Sequence, residues 1–301
     1  MDSKIEKSVL STVARVADFL IYSNLFIALC AGGYLWATYL MIDEPVMWDS
    51  LMVLVTASTL ALYLALRIHA SRRLRGIEFS ERILWVDRNS AISWTLFSIS
   101  ILLTAASLLY TSYTVWLALI PAGLLSIAYG MPFLPIPTQY KLRHKNFLKI
   151  FLIAGVWAYM SVILPVVHTG ADPLESSTLL LFVSRFLFVL GITIPFDIRD
   201  IEVDSVYKLQ TIPSALGVRQ SIHLAWICLL VSFLLLLPIY LQPEGADMIK
   251  TVLLPMIPIY LFTAWLVGLS RNTQNDYLYL GFLDGTMLIQ GPILAISAYF
   301  L

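Results

Sequence analysis

The chain has 301 residues, of which 59% are apolar and 13% charged, against roughly 45–50% and ~25% in an ordinary soluble domain; that composition excludes a soluble globular enzyme. Nineteen basic and nineteen acidic side chains give a formal net charge of zero, so no overall field draws nucleic acid or an anionic surface. Any electrostatics that matter must be local.

The N-terminal segment mixes Lys4, Lys7 and Arg15 with Asp2, Glu6 and Asp18 and has no small-residue cleavage site before the first apolar run, so that run reads as a retained membrane anchor. A bilayer core takes about 20 mostly apolar residues per spanning helix. Nine such stretches follow in order, approximately 18–41, 48–68, 91–110, 114–131, 147–168, 177–196, 220–241, 248–269 and 277–301. Alternating strand patterns of the barrel type are absent, and lipid admits only helices or closed barrels as spanning structures. The expected fold is therefore all-α, a polytopic membrane helical bundle of nine transmembrane helices, with residues 1–301 forming one domain. There is no fixed-period repeat and no low-complexity tract. Cys30 and Cys228 lie inside apolar runs without a second Cys or a His at metal-ligand spacing, which argues against a disulfide framework or a structural zinc site.

Orientation follows from the basic residues, which are retained in cytoplasmic loops. With nine spans, seventeen of the nineteen Lys and Arg residues fall on one side; Lys250 falls on the other and Arg185 lies inside a helix. The opposite loops carry Asp43, Glu44, Asp49, Asp172, Glu175, Glu244 and Asp247. The N-terminus is expected in the cytoplasm and the C-terminus outside, in the plasma (inner) membrane. The longer, more polar loops are also cytoplasmic, so a site should open to that side.

The most informative stretch follows the sixth span. Asp197, Asp200 and Asp204 stand at i, i+3 and i+7, which puts three carboxylates on one helical face. Like charges on one stripe repel unless a cation sits among them. Hard oxygen ligands beside a water-accessible cavity suit Mg²⁺, which keeps several waters and takes further ligands from a substrate phosphate. The plainer alternative is a solvated helix-to-loop junction with Arg199 and Lys208 as partners.

Extended to Lys208, Thr211, Pro213 and Leu216-Gly217, this stretch resembles the second aspartate-rich motif of the UbiA superfamily of intramembrane prenyltransferases. That motif reads approximately D-x-x-D-x-x-x-D, then a basic residue or Gly, then Thr and a closing Leu-Gly. The helix count and the cytoplasmic placement of the motif fit the same family. The resemblance implies a Mg²⁺-dependent transfer of a polyprenyl group from its diphosphate to an aromatic or lipid-soluble acceptor. Asp197, Asp200 and Asp204 would be the catalytic and metal-binding acids, and metal and cationic groups would stabilise the departing diphosphate. The long isoprenoid tail would leave the bundle sideways into membrane lipid.

One family feature is missing. An N-D-x-x-D-like motif normally ends the second helix, whereas this chain reads Tyr63 to Arg75 there with no carboxylate between Asp49 and Glu78. Arg67, Arg72 and Arg73 stand in that region; guanidinium forks suit phosphate oxygens, and the alternative is anchoring to lipid headgroups. Lys208, Arg67, Lys141 and Arg143 are the diphosphate-binding candidates. Lys145 and Lys149 read more simply as interfacial lysines.

Asn24, Tyr129, Asp284 and Arg185 are candidates to line the cavity. Asn24 could equally serve an interhelical hydrogen bond, and Arg185 with Asp284 reads as a mainly architectural ion pair, because an intramembrane charge usually faces a partner or a cavity. The four histidines are scattered, and no phosphate-loop or dinucleotide fingerprint occurs. Two other functions remain open: a degenerate member that binds an isoprenoid or anionic lipid without turnover, favoured by the missing acids, and a small-solute transporter, disfavoured by the weak helix interruptions.

Overall fold

The computed structural model describes residues 2–44, 48–73, 81–130, 147–206, 209–241 and 246–300, and all regular elements among them are helical. In chain order they are α1 (Asp2–Tyr22), α2 (Leu25–Met41), α3 (Ser50–Arg73), the short α4 (Glu81–Arg88), α5 (Ser90–Leu109) and α6 (Tyr113–Gly130). Then come α7 (Leu148–Thr169), α8 (Ser176–Arg199), the short α9 (Ile201–Val206) and α10 (Ile212–Leu216), α11 (Val218–Tyr240), α12 (Ile249–Leu269) and α13 (Tyr277–Phe300).

Among the described residues, seven helices are long and apolar enough to cross a bilayer, with an eighth if α1 and α2 count as one bent span. The expected count of nine is not confirmed among the described residues. The first expected span, 18–41, breaks at Ser23 and Asn24, where the axis turns by 72°. Asn24 has φ of 63°, a left-handed conformation that Asn tolerates better than other side-chain-bearing residues. The fourth expected span, 114–131, coincides with α6 (Tyr113–Gly130), of which the side chains of Tyr113–Ser126 are described. The chain is nonetheless an integral, multi-pass membrane protein by its apolar helices.

Long helices alternate in direction, so one end of the bundle carries Asp197 and the other carries Asp49. Successive helices pack as neighbours, α7 on α8, α8 on α11, α11 on α12 and α12 on α13, and the ring closes where α13 packs along α2. Lipid tails are as apolar as Leu, so small residues rather than large ones mark the close contacts. Gly33 and Gly291 meet at the α2–α13 crossing: a Cβ on Gly291 would lie 2.8 Å from the Gly33 carbonyl oxygen and 3.0 Å from the Trp36 ring. On α5 the buried positions are Ser93, Ser100 and Ser107, spaced by seven, while Leu102 and its neighbours face outward. Each serine hydroxyl donates to a carbonyl of its own helix, so the small face can be buried against α3 without an unmet donor.

Polar bonds tie the ring where packing alone has no direction. Ser184 on α8 and Ser232 on α11 donate to one another's carbonyl oxygens at 2.8 and 2.7 Å, and the Tyr260 hydroxyl of α12 joins Ser232 at 2.7 Å. At the Asp49 end, the Asp49 carboxylate caps α3 by accepting from the Met52 amide at 2.8 Å, and it also accepts from the Tyr39 hydroxyl at 2.7 Å.

The expected Arg185–Asp284 ion pair does not form. Arg185 instead donates to Gln290 on α13 and to Thr38 on α2 at 3.3 Å, and its guanidinium lies 3.9 Å from the centre of the Tyr34 ring. Gln290 is six residues beyond Asp284, about 9 Å along a helix at 1.5 Å per residue, and that offset brings an amide to the level of Arg185. The buried charge is thus held by an amide oxygen, a hydroxyl and an aromatic face.

The atoms facing Gly291 are the Gly33 carbonyl oxygen and the rigid Trp36 ring, which cannot yield cheaply. Gly291→Ala is expected to separate α2 from α13 and cost ~1–3 kcal/mol, seen as a lower thermal unfolding midpoint in detergent. Gly155→Ala, where nothing lies within 4 Å, should not lower it.

Candidate functional site

Because α7 and α8 run antiparallel and side by side, the first turn of α7 meets the last turn of α8. Lys149 there lies 3.2 Å from Asp197, whose side chain is only 2% exposed. Two residues on, Arg199 grips Asp200 through two nitrogens, at 2.7 and 3.1 Å. The same guanidinium reaches Asp276, just before α13, at 3.2 Å and lies beside the Phe196 and Tyr279 rings, 5.2 and 5.0 Å from their centres. Asp276 also meets Arg82 of α4 at 3.5 Å. A chain of charges therefore links α4, α8 and α13 at this end of the bundle.

Burial pushes the Asp200 carboxyl up, but the hydrogen bonds and charge of Arg199, helped by Arg82 and Lys149, overcome this and hold it below the usual range. Asp204 on α9 is different. Burial pushes it above the usual carboxylate range, Lys149 opposes this, and the charge of Asp200 adds to the rise. Its Oδ2 is buried with no partner.

These groups border a cavity of about 380 Å³. Its polar wall is made by Arg67 of α3, Arg82, Lys149, Asp197, Arg199, Asp200 and Asp284; Ile27, Ile153, Ile192 and Met287 form apolar floor, with Tyr63, Trp157, Thr193 and Phe196 between. A second cavity of about 380 Å³ adjoins it between α3, α6 and α7. Its lining is almost wholly apolar or weakly polar, including Val55, Leu62, Leu119, Ala122, Val156 and Met160. Tyr63 and Trp157 line both. The two spaces form a charged chamber and a greasy one, meeting at a pair of aromatic rings.

Of the residues singled out in the sequence, Arg67, Asp197, Asp200 and Asp284 are brought together around the charged chamber. Asp204 lies buried nearby, outside its lining; Asn24 sits at the α1–α2 bend; Arg185 belongs to the Gln290 cluster. Arg72 stacks over Trp94, 4.9 Å from its centre, and does not line the chamber. Lys141, Arg143 and Lys208 lie outside the described residues, as do the side chains of Tyr129 and Arg73. Sequence reasoning missed Lys149 and Arg82 as site residues. The available signal for Lys149 was its position opening a span next to the one that Asp197 closes; Arg82 had none beyond the surrounding run of arginines.

The expected convergence of Asp197, Asp200 and Asp204 on one Mg²⁺ is not met. Among the described residues, no group of three or more His, Cys, Asp or Glu side chains is placed to hold a metal ion. The physical reason is that Lys149 and Arg199 already occupy the first two carboxylates, and α8 ends at Asp200 before the stripe reaches Asp204. The described residues by themselves therefore do not fit a resident divalent ion.

Comparison with known proteins gives one kind of match. No family model matches the sequence, and no curated protein matches it. Among solved structures, a UbiA homolog from Archaeoglobus fulgidus bound to DMAPP and Mg²⁺ aligns with TM-score 0.62 at 14% identity, covering 94% of this chain and 100% of its own. The chain has the UbiA fold. A UbiA homolog from the same organism bound to GPP and Mg²⁺ aligns with TM-score 0.54 at 15% identity over 92% of this chain and 99% of its own. A structure of digeranylgeranylglyceryl phosphate synthase also aligns, with TM-score 0.54 and 15% identity, covering 96% of this chain and 100% of its own.

The two acids outside the spans make opposite predictions. Asp200 has a folded pKa below its unfolded value of about 3.9, so its pairing stabilises above that pH and fades as pH falls through the lower folded value. Arg199→Gln should lower the unfolding midpoint at pH 7 and weaken its fall in acid. Asp204 has a raised folded pKa, so its ionisation costs stability once pH rises past the unfolded value, with the full cost reached above the folded one. Asp204→Asn should raise the midpoint at pH 7 and lose that advantage near pH 3.

Proposed function

We propose that this protein binds a polyprenyl diphosphate, with the diphosphate in the charged chamber and the hydrocarbon tail in the apolar one, and transfers the prenyl group to a lipid-soluble or aromatic acceptor. The observation that carries this reading is the junction of the two chambers at Tyr63 and Trp157. An amphiphile with a compact anionic head and a long apolar tail matches that pair of spaces, whereas a small polar solute would leave the second one unused. The solved UbiA homologs with DMAPP or GPP bound support the same choice of ligand.

The reaction begins when the allylic C–O bond breaks and the diphosphate leaves with the electron pair. Lys149 and the neighbouring guanidinium groups would stabilise the charge gathering on that leaving group, in a site where a low dielectric strengthens each contact. The allylic cation would form at the junction, beside the faces of Tyr63, Trp157 and Phe196, which favour positive charge. An acceptor then supplies the electron pair for the new bond and releases a proton. Asp284 lines the chamber and makes no hydrogen bond or ion pair among the described residues, so it is the acid free to accept that proton. Asp197 acts as a positioning residue that holds Lys149 in the wall.

The charged chamber faces the cytoplasm on this reading. Arg67, Arg82, Arg88, Lys149, Arg199, Arg219 and Arg271 gather at its end of the bundle, against Lys250 at the other, as the retention of basic loops requires. A second reading, binding without turnover, draws support from the carboxylates that are already paired.

Incubation of the purified protein in nanodiscs with tritiated geranylgeranyl diphosphate, Mg²⁺ and a membrane lipid extract tests both. Wild type is expected to release pyrophosphate and label a lipid. Lys149→Met should slow release by roughly 10²-fold, the effect of removing one charge-stabilising donor. Binding with no release in any fraction would favour the second reading.

A further inference from the structure

We propose that the diphosphate site of this chain is built from fixed guanidinium groups, with Arg67 and Arg82 taking the place of a divalent ion, so that the head group is held without metal. The inference rests on the prenyl diphosphate reading above and specifies how that ligand is recognised.

The first argument is electrostatic. A seat for a divalent ion needs surplus negative charge, because each ligating carboxylate must gain more from the ion than it loses in desolvation. Around this chamber the cations outnumber the acids: Arg67, Arg82, Lys149 and Arg199 against Asp197, Asp200 and Asp284. Asp197 and Asp200 are neutralised by Lys149 and Arg199 at 3.2 and 2.7 Å. Asp276, outside the lining, is shared by Arg82 and Arg199 at 3.5 and 3.2 Å, so the cation of the wall with no carboxylate of its own is Arg67.

The second argument is the state of the two remaining arginines. Arg67 makes no hydrogen bond or ion pair among the described residues, although it lines the chamber within the bundle. Arg82 has a buried Nε with no partner, and its carboxylate contact, Asp276 at 3.5 Å, is shared with Arg199 at 3.2 Å. A buried guanidinium donor without an acceptor, as at Arg82, is costly, and half-buried Arg67 turns its unpaired donors to the chamber. A diphosphate supplies many acceptor oxygens, and forked N–H pairs suit its geometry.

The third argument is that Arg82 is delivered by a packed element. Val86 of α4 is buried at 2% exposure, and Trp85 sits edge-on to Phe19 of α1 with ring centres 6.0 Å apart. That anchoring holds α4 across the end of α3, so its arginine faces the chamber beside Arg67. The segment that would otherwise offer acids there has none between Asp49 and Glu78.

The test is direct binding of tritiated geranyl diphosphate to the purified full chain in phosphatidylcholine nanodiscs, in EDTA and in Mg²⁺, with inorganic pyrophosphate as competitor. The dissociation constants in the two media are expected to agree within about threefold, with pyrophosphate competing in both. Arg67→Gln and Arg82→Gln should each weaken binding in EDTA by about tenfold or more, as loss of charge-assisted hydrogen bonds implies, while Arg72→Gln should not. Arg67→Lys keeps the charge and removes the fork; it should fall between wild type and Arg67→Gln, and it serves if the latter does not fold. Binding seen only with Mg²⁺, or binding in EDTA indifferent to both arginines, overturns the inference and leaves the prenyl diphosphate reading standing. No binding in either medium overturns both.

Discussion

Charge inside an apolar bundle must find a protein partner or a polar cavity, since lipid offers neither, and this constraint organises both polar regions of the molecule. An unpaired charge at mid-membrane costs at least ~2.5–3.5 kcal/mol on insertion scales. Arg185 meets the requirement with neutral groups from α2 and α13, drawing together the same two helices that Gly33 and Gly291 allow to touch. At the other region, Lys149 with Asp197 joins α7 to α8, and Asp276 between Arg82 and Arg199 joins α4, α8 and the start of α13. The helix ends meet where they do because their charges have to.

Packing then decides where the empty space lies. Glycine and serine faces bring α2 against α13 and α5 against α3, with no room for a ligand. Between α3, α6 and α7 the facing residues are Val55, Leu62, Leu119, Val156 and Met160, with Gly123 and Ala122 on α6. Small residues on α6 here face no partner backbone; a Cβ added at Gly123 would meet nothing within 4 Å. The same residue type that closes one interface leaves a chamber at the other, and the difference is what stands opposite.

Much of this was readable before any coordinates. The positions of the spans follow from hydropathy because a helix must be long and apolar to cross, and the direction of each follows from the alternating charge of the loops. The acidic stripe was visible as a spacing, and Arg67 as a cation where a carboxylate was expected. Four features were hidden for physical reasons. The bend at Asn24 is a backbone event inside a continuous apolar run, which hydropathy averages over. The partner of Arg185 depends on the relative level of α8 and α13; a difference in depth that a long arginine side chain could span pointed to Asp284, when the neighbour in space is Gln290. And a periodic stripe gives the face of a helix without saying what occupies it: Lys149 and Arg199 come to the acids from outside the spacing pattern. α4 was missed because an eight-residue amphipathic helix leaves no hydropathy signal of spanning length.

The mixture of signs around the charged chamber has its own logic if guanidinium groups hold the head group. A metal ion can depart with the product it neutralises, but an arginine stays in the wall. Four fixed cations facing no acids would bind a released diphosphate as strongly as the substrate and hold it there, spending binding on ground state and product alike. Asp197, Asp200 and Asp284 temper that field. Asp200 already shares Arg199 with Asp276 and is a third exposed on its side chain, so guanidinium donors released by a departing anion have carboxylates at hand to return to. Re-pairing within the wall offsets the loss of contacts to the product, and the same internal ion pairs that leave no seat for a metal become the means of letting the diphosphate go.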